Sequence, residues 1–470
     1  MRRLSLVIEG NMAWMFTVCR SKPAIGALAA AVLLLVDARG AQAVPSFARQ
    51  TGLACSACHT TFPELTAFGR AFKMHGYTAL GMKELEEAGT DKAPPLTLNR
   101  AFPLSVMFQT SVTRTNEQQP GTQNANVEFP QALSLFLAGE ITPHIGTFLQ
   151  ATYTGNDDHF TLDNTDIRYA DDTQLDGKEL LYGITLNNNP TVEDPWHSTP
   201  AWGFPFAAAD SAPTPQASAL VDGGLAQQVG GIGAYSMWNK HLYADVSVYR
   251  SAHIGSPQPP TPQAGNNIRD VVPYWRVAWQ QNVGPNYFEV GTFGLFAQLL
   301  PNAVGGGTDK FTDLAFDTQY ERPLGKDWLS AHLTYIYENQ QLDATHGAGG
   351  SDRLNEKLHT VRMDGIYHWR ERLSFALGGF LIRGTNDATL YAPPAPANPT
   401  DPQPVTGSSN GSPDSDGIRT EIGYYPWQNV RVSLQYTAYT EFNGRSHNYN
   451  GTGRDASSND TLYLLAWLMY

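Results

Sequence analysis

From Pro103 onward, apolar and polar residues alternate along the chain with a period of two. The clearest stretch runs from Val430 to Phe442. Val430, Val432, Leu434, Tyr436, Ala438 and Phe442 fall on one face of an extended segment, and Arg431, Ser433, Gln435, Thr437, Tyr439 and Glu441 fall on the other. Leu104, Val106, Phe108 and Val112 oppose Ser105, Gln109, Ser111 and Thr113 in the same way, and Leu242, Ala244, Val246 and Val248 repeat the pattern. About 16 strands are predicted, at 103–114, 127–140, 144–155, 163–170, 178–187, 227–238, 241–251, 271–283, 286–299, 310–322, 328–340, 355–369, 372–385, 417–425, 429–442 and 459–470. No apolar run after Pro103 approaches the roughly 18 residues of a membrane helix.

One apolar face and one polar face fit a soluble β-sandwich as well as a lipid-embedded barrel. The connections separate the two. Gly139–His144, Asp171–Lys178, Asn239–Lys240, Gly284–Pro285, Pro323–Asp327, Glu371 and Pro426–Gln428 are short. They alternate with long segments such as Asn188–Ala226, Ala252–Asp270 and Asn386–Asp416. Short turns at one end and long loops at the other are the pattern of outer-membrane barrels. An even strand count puts both barrel ends on the short-turn, periplasmic side. The closing stretch Thr461–Tyr470 is an apolar strand ending on an aromatic residue. Tyr274, Trp275, Trp328, Tyr424, Tyr425 and Trp427 lie near strand ends, where interfacial girdles belong. The loop Asn188–Ala226 carries Trp196, Trp202, Phe204 and Phe206, and that aromatic load predicts a loop that folds inward or covers the mouth.

The N-terminus reads differently. Arg20 and Lys22 precede the apolar run Ala24–Val36, and Ala41-Gln42-Ala43 offers a small-x-small cleavage site. Residues 1–43 are therefore expected to be a signal peptide, with Met15 giving a leader of more usual length. Cleavage removes Cys19 and leaves two cysteines of the three, Cys55 and Cys58. It also removes five basic and two acidic residues, which takes the formal charge from -13 to -16. An acidic chain is a poor partner for nucleic acid, and none is expected. Only 16% of residues are charged, against about 25% in soluble domains.

The two remaining cysteines stand in Cys55-Ser56-Ala57-Cys58-His59, the C-x-x-C-H pattern of covalent haem attachment. Two thiols three positions apart on one helical turn can reach the two vinyl groups of one porphyrin edge, and the adjacent histidine then sits under the iron. A redox dithiol needs a βαβ context, which is absent. A structural zinc site needs about four ligands, and there is no second cysteine pair. One covalently attached haem c is expected, with Cys55, Cys58 and His59 as its binding residues and His59 as both iron ligand and redox-active residue. After His59, Phe68, Phe72 and His75 share one helical face, and the phenylalanines are placed to pack on the porphyrin. The sixth ligand stays open among His75, Met74, a barrel residue and none. His75 can equally cap the helix before Gly76.

The predicted organisation is thus a signal peptide (1–43), a monohaem cytochrome c segment (44–82), a linker (83–102) and a porin-like transmembrane β-barrel (103–470). The haem segment is too short to build a core of its own. Placing it inside the lumen as a plug supplies the missing wall. The fold class is all-β, an antiparallel barrel of about 16 strands around a small α-helical haem segment.

The run Pro45–Tyr77, centred on Cys55-Ser56-Ala57-Cys58-His59, resembles the fused monohaem cytochrome–porins of iron-oxidising bacteria. In that family an N-terminal c-type haem segment precedes an outer-membrane barrel of this size. The resemblance implies an oxidoreductase that takes electrons from extracellular Fe(II) and passes them to a periplasmic c-type cytochrome. A diffusion porin with a structural haem plug, and electron transfer from another donor or in the outward direction, are the competing readings.

Overall fold

The computed structural model describes residues 45–79, 82, 84–87, 89–90, 96–155, 158–252, 267–301, 307–394 and 405–470. The expected signal peptide and most of the Pro-rich loop stretches Pro257–Pro262 and Pro393–Pro404 lie outside them. From Ala41 onward the chain is one compact unit. Three short helices open it: α1 (Pro45–Thr51), α2 (Cys55–Cys58) and α3 (Ala67–Met74). The expected linker contains a small hairpin, β1 (Glu84–Glu87) paired with β2 (Leu96–Asn99).

All sixteen predicted strands form, with ends within a few residues of the predicted ones. They are β3 (Leu104–Thr115), β4 (Asn126–Thr142), β5 (Ile145–Thr154), β6 (His159–Leu175), β7 (Lys178–Asn187), β8 (Val229–Trp238), β9 (Leu242–Ser251), β11 (Val272–Val283), β12 (Asn286–Leu300), β13 (Asp309–Leu324), β14 (Asp327–Gln341), β15 (Asn355–Trp369), β16 (Leu373–Gly384), β17 (Ser415–Trp427), β18 (Val430–Glu441) and β19 (Thr461–Met469). The two-residue β10 (Asn267–Ile268) is an addition that pairs on β12. Every other pairing is between antiparallel neighbours. The sheet closes where β19 meets β3, with Met469 opposite Met107, and β9 meets β11, with Tyr249 opposite Val272. Closure leaves no free edge, the condition for a sheet to cross a bilayer. The β6–β7 hairpin shows how a tight turn is made: Asp176 and Gly177 both take positive φ, as a two-residue hairpin requires.

The alternation resolves the class of barrel. Arg431, Ser433, Gln435, Thr437 and Tyr439 on β18 are buried, whereas Leu434 and Tyr436 are exposed. On β9 it is Tyr243, Asp245, Ser247 and Tyr249 that are buried, with Val246 62% exposed. The polar face is inside and the apolar face outside. A soluble sandwich does the reverse. In water such a surface would aggregate; in lipid it is the solvated face. The chain is a transmembrane β-barrel of the bacterial outer-membrane type. Three expectations fail in detail. Phe442 lies past the end of β18 and is packed against Tyr439 and Tyr449, not on the lipid face. Tyr274 is wholly buried and points into the lumen, so it is no girdle residue. The Tyr425 hydroxyl bonds to Thr61 of the N-terminal segment.

That segment lies inside the cylinder. Its hydrogen bonds reach strands all around the wall: Ser46 to Ser105 on β3, Gln50 to Ala138 on β4, Tyr77 to Asp166 on β6, the Met74 carbonyl to Tyr235 on β8, Arg70 to Glu321 on β13, Glu64 to His368 on β15 and the Phe62 carbonyl to Arg431 on β18. Only an object in the lumen can touch all of these. Gly146 on β5 admits it, because a Cβ there would stand 2.1 Å from the Gly76 carbonyl. The loop 188–226 folds in as predicted. Trp196 is fully buried, and Asp194 lies 3.3 Å from Arg276, which also pairs with Asp317 (2.8 Å) and Glu289 (3.2 Å) on the wall.

Arg70 and Glu321 are both buried, and the second bond of their bidentate pair is 3.0 Å long. Removing one partner of a buried pair costs about 3–5 kcal/mol, because the other charge is left uncompensated. Arg70→Ala is therefore expected to loosen the plug while the barrel persists. Limited proteolysis in detergent should cut the variant within residues 45–79 under conditions that spare the parent chain. Equal protection of both would contradict this anchoring.

Candidate functional site

The motif's local geometry follows from three backbone arrangements. Cys55 and Cys58 occupy the single turn α2, and their thiols are not joined to each other. His59 follows as its C-cap. The chain then turns back, so that the Thr66 hydroxyl caps α3 through the Gly69 amide and also donates to the Ala57 carbonyl. Residue 69 has to be glycine, since a Cβ there would lie 2.2 Å from the Cys58 carbonyl oxygen. α3 thus crosses directly against the turn that carries both cysteines.

The cysteines and His59 line a cavity of about 430 Å³ within the barrel, in the range of small-molecule and cofactor sites (~300–1,000 Å³). Its apolar wall includes Phe47 and Phe72 from the plug, Phe136 and Phe148 from the barrel, and Trp202 from the inward loop, with Trp467 closing the side at β19. Gln109, Ser134, Gln150 and Thr152 on β3–β5 add amide and hydroxyl groups. Plug, wall and loop each supply part of the enclosure.

His59 is oriented for ligation. Its Nδ1 lies 3.1 Å from the Pro63 carbonyl and 3.2 Å from the Glu64 carbonyl. Both are acceptors, so Nδ1 carries the proton and Nε2 keeps its lone pair. This is the outer-shell arrangement that fixes the tautomer of metal-bound histidines. Burial lowers the imidazole to about 4, against the pull of those carbonyls, and keeps it neutral. Burial also pushes the Cys55 thiol up to about 12 and the Cys58 thiol up to about 11. A redox dithiol needs the opposite shift. Unpaired thiols on one turn, a neutral imidazole with a free Nε2 and aromatic walls fit a covalently attached haem.

Behind His59 stands a buried polar chain. The Glu64 carboxylate lies 3.2 Å from His368 Nε2 and 3.7 Å from His332 Nε2, and His332 Nδ1 lies 2.9 Å from Asp364. Burial alone would raise the Glu64 carboxyl, but His368 and His332 hold it down at about 2.

Two of the candidate sixth ligands are not brought to the cavity. Met74 packs with Leu181, Trp196 and Tyr235 against the barrel wall. The backbone of His75 caps α3, and its Nδ1 lies 2.7 Å from the Ala71 carbonyl. Phe72 lines the cavity, but Phe68 is 44% exposed and does not pack there, contrary to expectation. Among barrel residues, Met107 lines the cavity from β3. Sequence reasoning missed Glu64, His332, His368 and His197. The last lines the cavity, is stacked on Trp202 at 5.0 Å and leaves Nδ1 without a partner. Glu64 lies just past the C-x-x-C-H motif but carries no spacing signal of its own, His332 and His368 have no motif around them, and only the aromatic load of the inward loop pointed toward His197.

No protein-family model matches the chain. No curated protein matches it either. Solved structures do. A loop-deletion mutant of OmpT, an outer membrane protein of Vibrio cholerae, matches with a TM-score of 0.41 and 9% identity over 78% of this chain and 98% of that one. The anion-selective porin of Comamonas acidovorans matches with a TM-score of 0.41 and 11% identity, covering 78% and 98%. The outer membrane channel DcaP of Acinetobacter baumannii gives 0.41 and 10%, covering 78% and 96%. At such scores the likeness carries no argument about activity, and the barrel rests on its own strand pairing.

Gly69→Ala tests the local geometry. The added methyl group forces α3 away from Cys58 and opens the cavity floor. Expected is a several-fold loss of pyridine haemochrome absorbance per barrel, with the folded barrel's heat-dependent gel shift retained. Unchanged absorbance would show that the close crossing is not needed.

Proposed function

We propose that the protein is an outer-membrane electron-transfer protein carrying one covalently attached haem c, oxidising extracellular Fe(II) and passing electrons to a periplasmic c-type cytochrome. The observation that carries the reading is that Cys55, Cys58 and His59 line one aromatic-walled cavity inside a transmembrane barrel. Cys55 and Cys58 would hold the porphyrin by thioethers, and His59 Nε2 would ligate iron. A haem so held supplies one-electron exchange between a donor and an acceptor. The chain's own residues do the rest. Phe72, Phe136 and Trp467 exclude water, and the Pro63 and Glu64 carbonyls keep the imidazole turned. Fe(II) as donor rests on the resemblance of Pro45–Tyr77 to the iron-oxidising cytochrome–porins. A donor whose ferric product is insoluble belongs outside the cell, which suits a redox centre in this membrane. With both barrel ends on the short-turn side, the chain termini face the periplasm.

The barrel itself favours a second reading, a diffusion channel. Sixteen strands enclose an aqueous pore when the lumen is open. Here the plug and the inward loop occupy that space, and Arg276, Asp317 and Glu338 on the wall are fully buried.

Anoxic stopped-flow mixing of the oxidised protein with Fe(II) tests the first reading. The ferric Soret band is expected to shift to the ferrous position and an α band to appear, with Cys55→Ala/Cys58→Ala lacking both. No spectral change would exclude Fe(II) as donor. Large, steady ion currents across a planar bilayer from the same preparation would favour the channel.

A further inference from the structure

We infer that Glu64, held by His368 and His332 of the barrel wall, is a positioning residue that sets the reduction potential of the site at His59; the inference rests on the haem reading above. Glu64 touches the site twice. Its backbone carbonyl accepts from His59 Nδ1 (3.2 Å), and its side chain is fixed to the wall. The Thr60 hydroxyl donates to the same carboxylate at 2.5 Å, so the chain on both sides of the His59 hairpin is tied to one group. The isolated bridge between His59 and Leu65 closes that hairpin.

The anchor is buried along its length. Glu64 is 1% exposed and His368 4%. His332 stands between the carboxylates of Glu64 (3.7 Å) and Asp364 (2.9 Å). Arg70, one helix further on, pairs with Glu321 and faces the same region. A buried polar network of this kind costs desolvation free energy that a packed apolar contact would avoid. Anchoring the hairpin needs only one neutral hydrogen bond. A carboxylate between two histidines, directly behind the imidazole, also places fixed charges in a medium of low dielectric. Such charges and outer-shell bonds bear on the potential of a ligated iron. The barrel wall, and not the haem segment alone, then tunes the redox centre. That accounts for a haem segment too short to fold by itself whose motif is wired to β14 and β15.

The test uses the full haem-loaded chain in detergent and two substitutions. Glu64→Gln keeps the side chain's length and removes a negative charge. His332→Gln removes the imidazole that stands between the two carboxylates. Spectroelectrochemical titration is expected to raise the midpoint potential of the first and lower that of the second. Each shift should reach about a tenfold change in the one-electron equilibrium, ~59 mV. A merely structural role would leave both potentials at the parent value or move them in the same direction, and either result overturns the inference. If Glu64→Gln fails to acquire haem, the wall variant His332→Gln still decides, since it lies outside the haem segment. A parent protein without a pyridine haemochrome spectrum would instead sink the haem reading itself.

Discussion

A closed sheet of sixteen strands surrounds a lumen lined by the polar half of every strand, and each charge in that lumen must find a partner. For several of the wall's charges the partner comes from the inserted segments. Arg70 of the plug pairs with Glu321, and Asp194 of the inward loop joins Glu289 and Asp317 around Arg276. Without these insertions, wall charges would face water in an open pore. With them, the lumen becomes a protein interior, and a cavity bounded by aromatic rings can exist inside a polar cylinder. The enclosure of the C-x-x-C-H motif is a consequence of that filling.

The motif segment gains as much as the barrel does. Thirty-odd residues cannot enclose a cavity of this size by themselves. Here Phe136, Phe148 and Trp467 of the wall and Trp202 of the loop complete what Phe47 and Phe72 begin. The wall also supplies the polar backing for the hairpin that holds His59. Neither cavity nor anchor exists in plug or barrel alone.

Much of this was legible in the residues. The strands were readable because a two-residue period with an apolar outward face is a one-dimensional signal, and the β7 and β15 boundaries coincide with the predicted ones. The Cys55-Ser56-Ala57-Cys58-His59 pattern was readable because its residues are contiguous, and the structure brings both cysteines and His59 to one cavity. The inward loop announced itself through Trp196 and Trp202. What could not be read were pairings made by closure. Glu64 meets His368 across 304 positions of sequence, and no local period carries that information. Phe68 misled because helical spacing assigns a face but not what lies against it. The α3 residues Phe72 and Met74 end against different walls for the same reason. Tyr274 near a strand end resembled a girdle residue, but the pleat decides inside from outside, and its parity places it in the lumen.

The most direct measurement is an electron cryo-microscopy map of the haem-loaded protein in detergent. The account predicts porphyrin density inside the cylinder, joined to Cys55 and Cys58 and bounded by Phe136 and Trp467. A porphyrin lying outside the barrel on the short-turn face, or an open lumen with the N-terminal segment displaced from it, would contradict the account.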